Sequence, residues 1–299
     1  MINKKNPIII VAHGGVGSLL RFNDGPTAAA KESLKVLKKT HSALKAAVAG
    51  VVVMEDDPHF DCGIGSYFRL DGKSIEMDAA VMDSNNHVGA IACIQRVKNP
   101  VKVAYALTET PHNFLCGQGA TDFARLKDFA DFDPTTPKAK RVFRKRIREF
   151  RINKIPLWAR EQWIRAKDEN YVRKYWNNLL GTVGVLIKDN KNNFAVAVST
   201  GGTSLALPGR IGDTPLIGCG FYVGKKGAVV TTGVGEEITK QLLSRKVYEK
   251  IEEEMPPQKA CEWGLSLFPA KTPVGVAAIS LDDYGIAANK QMAKHVIKL

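Results

Sequence analysis

Apolar and polar positions along this chain predict strands and helices grouped in blocks. The run Ile8-Ile-Ile-Val-Ala12 reads as a strand that leads straight into the glycine turn His13-Gly-Gly-Val-Gly17. Two helical stretches follow. The first begins near Thr27 and carries Ala28, Leu34 and Leu37; the second begins near Ser42, a good N-cap, with Leu44, Ala47, Val48, Val51 and Val52 at helical spacing. They read as an αα pair on one face of a sheet. From Gly63 to Pro100, turns break up strand patterns: Tyr67-Phe68 before Asp71-Gly72, then Ile75 to Val81, then Val88 to Val97 beyond the polar Asp83-Ser-Asn-Asn86. Asn99-Pro100 starts a helix that runs to about Thr110.

The clearest hairpin lies in the second half. Val183, Val185 and Ile187 alternate with smaller or polar residues, as do Phe194, Val196 and Val198, around the turn Asp189-Asn-Lys-Asn-Asn193. A helix of roughly 15 or more residues is expected after Gly235, with Ile238, Leu242, Leu243, Val247 and Ile251 on one face. Val274 to Ile279 and Gly285 to Ala288 read as a closing hairpin. Blocks of this kind, in place of strict βαβ alternation, predict layered α+β with a largely antiparallel sheet.

Composition narrows the class. At 299 residues with 44% apolar and 24% charged positions, the chain can bury a sizeable core and is neither disordered nor fibrous. Its five cysteines (Cys62, Cys93, Cys116, Cys219 and Cys261) are odd in number, widely spaced and form no CxxC pair, so neither a disulfide framework nor a zinc knuckle is expected. No apolar run approaches a signal-peptide core or a membrane span, and a cytoplasmic protein is the expectation. The formal charge of +13 is concentrated. Pro134 to Leu180 holds 14 basic and four acidic residues, which leaves +3 for everything else. That segment reads as a basic helical linker; its interleaved Phe143, Phe150, Trp158, Trp163 and Trp176 also leave open an arm that binds nucleic acid.

The usual catalytic kits are missing. There is no HExxH, GxSxG or Walker loop, and the six histidines are scattered without metal-ligand spacing. The second half instead gathers Thr, Gly, Arg and Asp in four blocks: Gly181-Thr182-Val-Gly184, Ser199-Thr200-Gly-Gly202, Gly209-Arg210-Ile-Gly-Asp213-Thr-Pro215 and Thr232-Gly-Val-Gly-Glu236. In this order and spacing they resemble the plant-type L-asparaginase and isoaspartyl peptidase family of N-terminal nucleophile hydrolases. Ala12-His-Gly-Gly15, Gly63-Ile-Gly-Ser66, Glu76-Met-Asp-Ala79, Val81-Met-Asp83, Asn99-Pro100 and Pro111-His112 in the first half agree. Only the basic middle segment lacks a counterpart.

The resemblance implies a four-layer αββα sandwich. It also implies that Thr182 cuts the chain after Gly181, giving an α subunit of residues 1–181 and a β subunit of 182–299 that form one domain and pair as (αβ)₂. A threonine hydroxyl needs a base beside it, and the α-amine freed by that cut, with a pKa of about 8, can serve. On the same ground Thr200 tunes the nucleophile, the Thr232 hydroxyl and the Gly233 N–H form an oxyanion hole, and Gly235 lines the substrate site. Arg210 and Asp213 match the two charged ends of an amino acid: a guanidinium fork binds the α-carboxylate, and a carboxylate accepts from the α-ammonium. The implied substrates are asparagine and β-aspartyl peptides. The Ser199-Thr-Gly-Gly202 block is more like this branch than the glycosylasparaginase branch.

No organic cofactor is expected, and a sodium ion is implied on backbone carbonyls of Met54, Glu55, Asp57, Phe60, Cys62 and Ile64. Two departures carry expectations of their own. Asp61-Cys62-Gly63 stands where the family pattern has Asn-Ala-Gly, and an ionised Asp61 beside the amine would hold it as ammonium and move the pH optimum upward. Leu180 replaces a common His or Asp, which would slow self-cleavage. An uncleaved, silent scaffold with a nucleic-acid-binding arm is the alternative from another class.

Overall fold

A computed structural model describes residues 6–152 and 181–299, the side chains of 149–152 excepted. Strand β1 (Ile9–Val16) leads to helices α1 (Asp24–Thr40) and α2 (Ala43–Glu55), then to the hairpin of β2 (Met77–Asp83) and β3 (Val88–Ile94). Helix α3 (Pro100–Leu107), the short β4 (Phe114–Cys116), α4 (Gly117–Leu126) and α5 (Pro137–Ile152) follow. Beyond residue 180 the chain forms the hairpin β5 (Val183–Lys188) and β6 (Phe194–Thr200), then β7 (Phe221–Val223) and β8 (Gly227–Gly233). Three helices, α6 (Gly235–Gln241), α7 (Leu243–Glu252) and α8 (Pro257–Ser266), precede β9 (Val274–Ser280), β10 (Tyr284–Ala288) and β11 (Met292–Lys298).

Two sheets result, in a mixed α/β fold. The larger has the order β11-β1-β5-β6-β2-β3-β4 and is antiparallel except for β3 with β4; the smaller runs β10-β9-β8-β7 and is antiparallel throughout. Alternate residues of each central strand serve different cores. Ile10, Ala12, Val183, Val185 and Ile187 pack under α1 to α4, while Ile9, Val11, Leu186, Val196 and Val198 meet Phe221, Val230 and Ile279 of the small sheet. The other face of that sheet, through Val229, Val276 and Ala278, packs on Val247, Ile251, Ala260 and Cys261 of α7 and α8. A strand buried on both faces needs apolar residues at every position, which is why Ile8 to Ala12 reads as a continuous run.

Local signals fixed several ends. The Ser42 hydroxyl caps α2 by accepting from the Lys45 N–H at 3.3 Å, a bond whose loss costs about 1 kcal/mol in comparable caps. Pro100 at the start of α3 lacks the N–H that the first turn cannot use.

Elsewhere the fold corrects the sequence reading. Strand β1 does not end at Ala12 but continues through His13-Gly-Gly to Val16, with a bulge that shifts its pairing to β11. Tyr67-Phe68 is not a strand: the Leu205 N–H donates to the Phe68 carbonyl, the Leu70 N–H to the Ala206 carbonyl and the Arg69 N–H to the Ser74 carbonyl, too few consecutive bonds for a ladder. The single helix expected after Gly235 is broken at Leu242, which takes a left-handed conformation (φ 51°) and stands exposed. The break turns Ile238 of α6 and Leu243 and Val247 of α7 into one core, and their burial offsets the roughly 1–2 kcal/mol that such a backbone costs. The closing hairpin is followed by a strand the pattern did not predict, β11, which returns to β1. Of the basic segment, α5 is helical as expected; Trp158, Trp163, Trp176 and Leu180 lie outside the described residues. Among the described residues no helix is long and apolar enough to cross a membrane.

Candidate active site

Three strand ends and one loop meet in a pocket. Thr182 precedes β5, Thr200 ends its partner β6, Gly233 ends β8, and Arg210 and Asp213 sit in the loop after β6; with Gly181 and Thr214 they line a single pocket. Four blocks far apart in sequence converge there. Its free volume is about 10 Å³, close to the least that holds one water.

Threonine hydroxyls dominate the interior. Thr182 is buried, with its Oγ1 3.2 Å from the Oγ1 of Thr214. Thr200 lines the same pocket, but its hydroxyl accepts from the Gly202 N–H at 3.0 Å. Thr232 stands behind Gly233, and its Oγ1 accepts from the Val16 N–H at 3.2 Å. That donor comes from the β1 bulge, which also supports the Gly181–Thr182 peptide. Gly15 has φ +88°, and a Cβ there would lie 2.7 Å from the Thr182 carbonyl oxygen and 2.9 Å from the Gly181 carbonyl carbon. Only glycine allows that approach. The neighbouring His13 accepts from the Gly15 N–H through Nδ1, and burial pushes its pKa down to about 4, so the ring is neutral.

Arg210 and Asp213 do not pair with each other. Arg210 closes on Glu236, from Nε to Oε1 and from Nη2 to Oε2, both at 2.9 Å. Asp213 is buried nearby and accepts from the Thr231 hydroxyl at 3.2 Å. Burial pushes the Asp213 carboxyl up to about 7, against the pull of Arg210. Gly235, at the start of α6, gives both side chains room: a Cβ there would stand 2.9 Å from Asp213 Oδ1 and 3.0 Å from Arg210 Nη2.

Asp61 abuts the peptide from the other side. A Cβ on Gly181 would lie 2.9 Å from the Asp61 Cβ. Asp61 is buried, and neither carboxyl oxygen has a hydrogen-bond partner among the described residues. Burial raises its pKa well above the usual carboxylate range, while Lys138, Arg69 and Arg210 pull the other way. Burial thus works against the ionised form that the sequence suggested.

Sequence reasoning missed the residues that hold the Arg210 loop. Arg69 is fully buried and donates from Nε to Glu76 Oε2 at 3.1 Å and from Nη2 to the Glu76 carbonyl at 3.2 Å. Glu76 Oε2 also accepts from the Gly209 N–H at 2.8 Å, which ties this ion pair to the residue before Arg210. The available signal was an arginine flanked by Tyr67, Phe68 and Leu70, because a charge in an apolar stretch needs a partner.

The turn from Met54 to Ile64 winds tightly on itself. A Cβ on Gly63 (φ +50°) would lie 2.3 Å from the Glu55 carbonyl oxygen, and one on Gly65 would overlap that of Phe60. The Met54 carbonyl accepts from the Asp57 N–H, that of Asp57 from the Phe60 N–H and that of Cys62 from the Gly65 N–H. Among the described residues no group of His, Cys, Asp or Glu side chains could hold a metal, so a cation here would rest on backbone oxygens.

A strand-end threonine, further threonine hydroxyls, a guanidinium and a carboxyl thus share one pocket. The family profile described as Asparaginase matches residues 6–298. The chain is 36% identical over 274 residues to the isoaspartyl peptidase/L-asparaginase of Macaca fascicularis, covering 89% of this chain and 83% of that protein. It is 35% identical to the protein of that name from Homo sapiens over the same shares of the two chains. To the plant-type L-asparaginase of Pyrococcus furiosus it is 34% identical, over 97% of this chain and 94% of the relative. The chain belongs to the asparaginase family.

Proposed function

We propose that this chain is a threonine amidohydrolase that cuts itself between Gly181 and Thr182 and then hydrolyses L-asparagine and β-aspartyl peptides. The convergence of Gly181, Thr182, Thr200, Arg210, Asp213 and Gly233 on one pocket carries this reading. The names of the relatives support the substrate class.

In the first reaction the Thr182 Oγ attacks the Gly181 carbonyl carbon. The amide C–N bond breaks, its nitrogen takes the hydroxyl proton, and the resulting ester is hydrolysed by water to a Gly181 carboxylate and a free Thr182 α-amine. Residues 1–181 become the α subunit and 182–299 the β subunit of one folded domain, a four-layer αββα sandwich that pairs as (αβ)₂. In the second reaction that amine takes the Thr182 Oγ proton as the oxygen attacks the β-carbonyl of the substrate. The proton passes to the departing nitrogen, leaving a β-aspartyl ester; water then releases aspartate. Arg210 holds the substrate α-carboxylate and Asp213 the α-ammonium, whose charge favours the ionised form of a carboxyl that burial pushes up to about 7 against the pull of Arg210.

Thr232 is suited to the developing oxyanion. Its oxygen already accepts from Val16, so its own proton is available to the substrate, and with the Gly233 N–H it supplies two donors, each worth a few kcal/mol in comparable sites. Thr200 and Thr214 flank the nucleophile as hydroxyl partners. The carbonyls of Met54, Glu55, Asp57, Phe60, Cys62 and Ile64 would hold a sodium ion that stiffens the turn carrying Asp61. The basic segment is a linker and the protein is cytoplasmic.

Purified, self-cleaved protein should release ammonia from L-asparagine and leucine from β-aspartyl-leucine, and Thr182→Ala should do neither. Cleaved protein inert on both but active on glycosylated asparagine would move the reading to that branch. Uncleaved protein inert on all three, with salt-sensitive nucleic-acid binding, would replace it with the scaffold.

A further inference from the structure

A second cavity adjoins the nucleophile pocket and shares only Gly181 with its lining. It is an open cleft of about 270 Å³, with walls that include Phe22, His59, Tyr67, Asp61 and Lys138. Its walls are aromatic on two sides. Phe22 and His59 stack with ring centroids 4.5 Å apart, and Asp57 Oδ1 accepts from the His59 backbone N–H and lies 2.7 Å from its Nδ1.

Among the described residues, Lys138 is the lysine or arginine of the cavity's lining. Its ammonium donates to the Pro58 carbonyl and lies 5.4 Å from the Tyr67 ring centroid, and no carboxylate among the described residues is within ion-pair distance. Burial lowers its pKa, as expected for an ammonium that has lost water without gaining a counter-ion. The first turns of α5 hold it in place: Ala139 is fully buried, and Phe143 packs edge-on against Phe68, 5.6 Å between centroids. That anchoring precedes Gly181 in the chain, so cutting after Gly181 leaves it covalently intact.

We propose that this cavity receives the leaving amino acid of a β-aspartyl dipeptide, with its α-carboxylate on Lys138 and an aromatic or large apolar side chain against Phe22 and Tyr67. The inference rests on the amidohydrolase reading. With the aspartyl head gripped by Arg210 and Asp213, the scissile nitrogen points away from them, toward the wall that Gly181 forms between the two spaces. Cleavage frees Gly181 from Thr182 and lets the spaces join. Asp61 shares the wall, and its burial disfavours the charge that would repel the incoming carboxylate. Asparagine, whose leaving group is ammonia, does not reach Lys138.

The test compares kcat/KM for β-aspartyl-phenylalanine, β-aspartyl-phenylalanine amide and L-asparagine, using fully self-cleaved wild type, Lys138→Gln and Lys138→Arg. In Lys138→Gln the ratio of dipeptide to asparagine kcat/KM should fall on the order of tenfold to a hundredfold, the worth of one charge-assisted bond, and Lys138→Arg should restore most of it. Wild type should handle the dipeptide amide no better than Lys138→Gln handles the dipeptide. An unchanged ratio with asparagine hydrolysis intact, or equal losses on all three substrates, would overturn the subsite alone. Failure of self-cleaved wild type to hydrolyse asparagine would overturn the amidohydrolase reading and the subsite with it.

Discussion

Arg210 holds Glu236, not Asp213, with two parallel bonds of 2.9 Å. These occupy the Nε/Nη2 edge of the guanidinium; among the described residues no hydrogen bond engages Nη1, the side left for a substrate carboxylate. Glu236, lying in the first turn of α6, thus aims the arginine. Glu236→Gln keeps one acceptor but loses the charge. Its KM for asparagine should rise about five- to tenfold with kcat within about twofold, because a loosened Arg210 weakens ground-state and transition-state binding alike. A kcat that falls as steeply as kcat/KM would instead place Glu236 in the chemical step.

Asp61 gives a pH signature. Its pKa is raised by burial, so it ionises at higher pH than an ordinary carboxylate. Once ionised, it would hold the Thr182 amine as ammonium and remove the base. Wild-type kcat/KM should therefore fall progressively below that of Asp61→Asn as the pH rises and Asp61 ionises. Parallel profiles across the range, measured on self-cleaved protein, would contradict this assignment.

Gly15 is predicted to control self-cleavage more than stability. In Gly15→Ala the new methyl would press on the Gly181–Thr182 peptide at 2.7–2.9 Å from a backbone of positive φ. The strain should cost about 1–2 kcal/mol of stability. Processing, followed by gel after purification at low temperature, should slow by more than about tenfold, since a displacement on the order of 1 Å costs about that or more in a positioned reaction. Unchanged processing would mean that the bulge does not support the scissile bond.

Much of this was legible in the sequence. The β5–β6 hairpin follows from alternation and a polar turn, and the four Thr/Gly/Arg/Asp blocks named the residues that the fold gathers in one pocket. What the sequence hid depends on tertiary contacts. Nothing local ties Arg210 to Glu236, which stands 26 residues on, or pairs β11 with β1 across nearly the whole chain. Leu242 fits the helical period, yet packing two short helices on one sheet face turns it outward. Asp61 reads as an ordinary carboxylate until its burial without a partner is seen.

The central claim is that Thr182 becomes a chain terminus, and one denaturing gel with mass analysis of the fragments tests it most directly. Wild-type protein should resolve into two fragments, the smaller beginning at Thr182, with Thr182→Ser retaining some cleavage and Thr182→Ala remaining a single chain. Cleavage that persists in Thr182→Ala, or an intact wild-type chain that still hydrolyses asparagine, would contradict it.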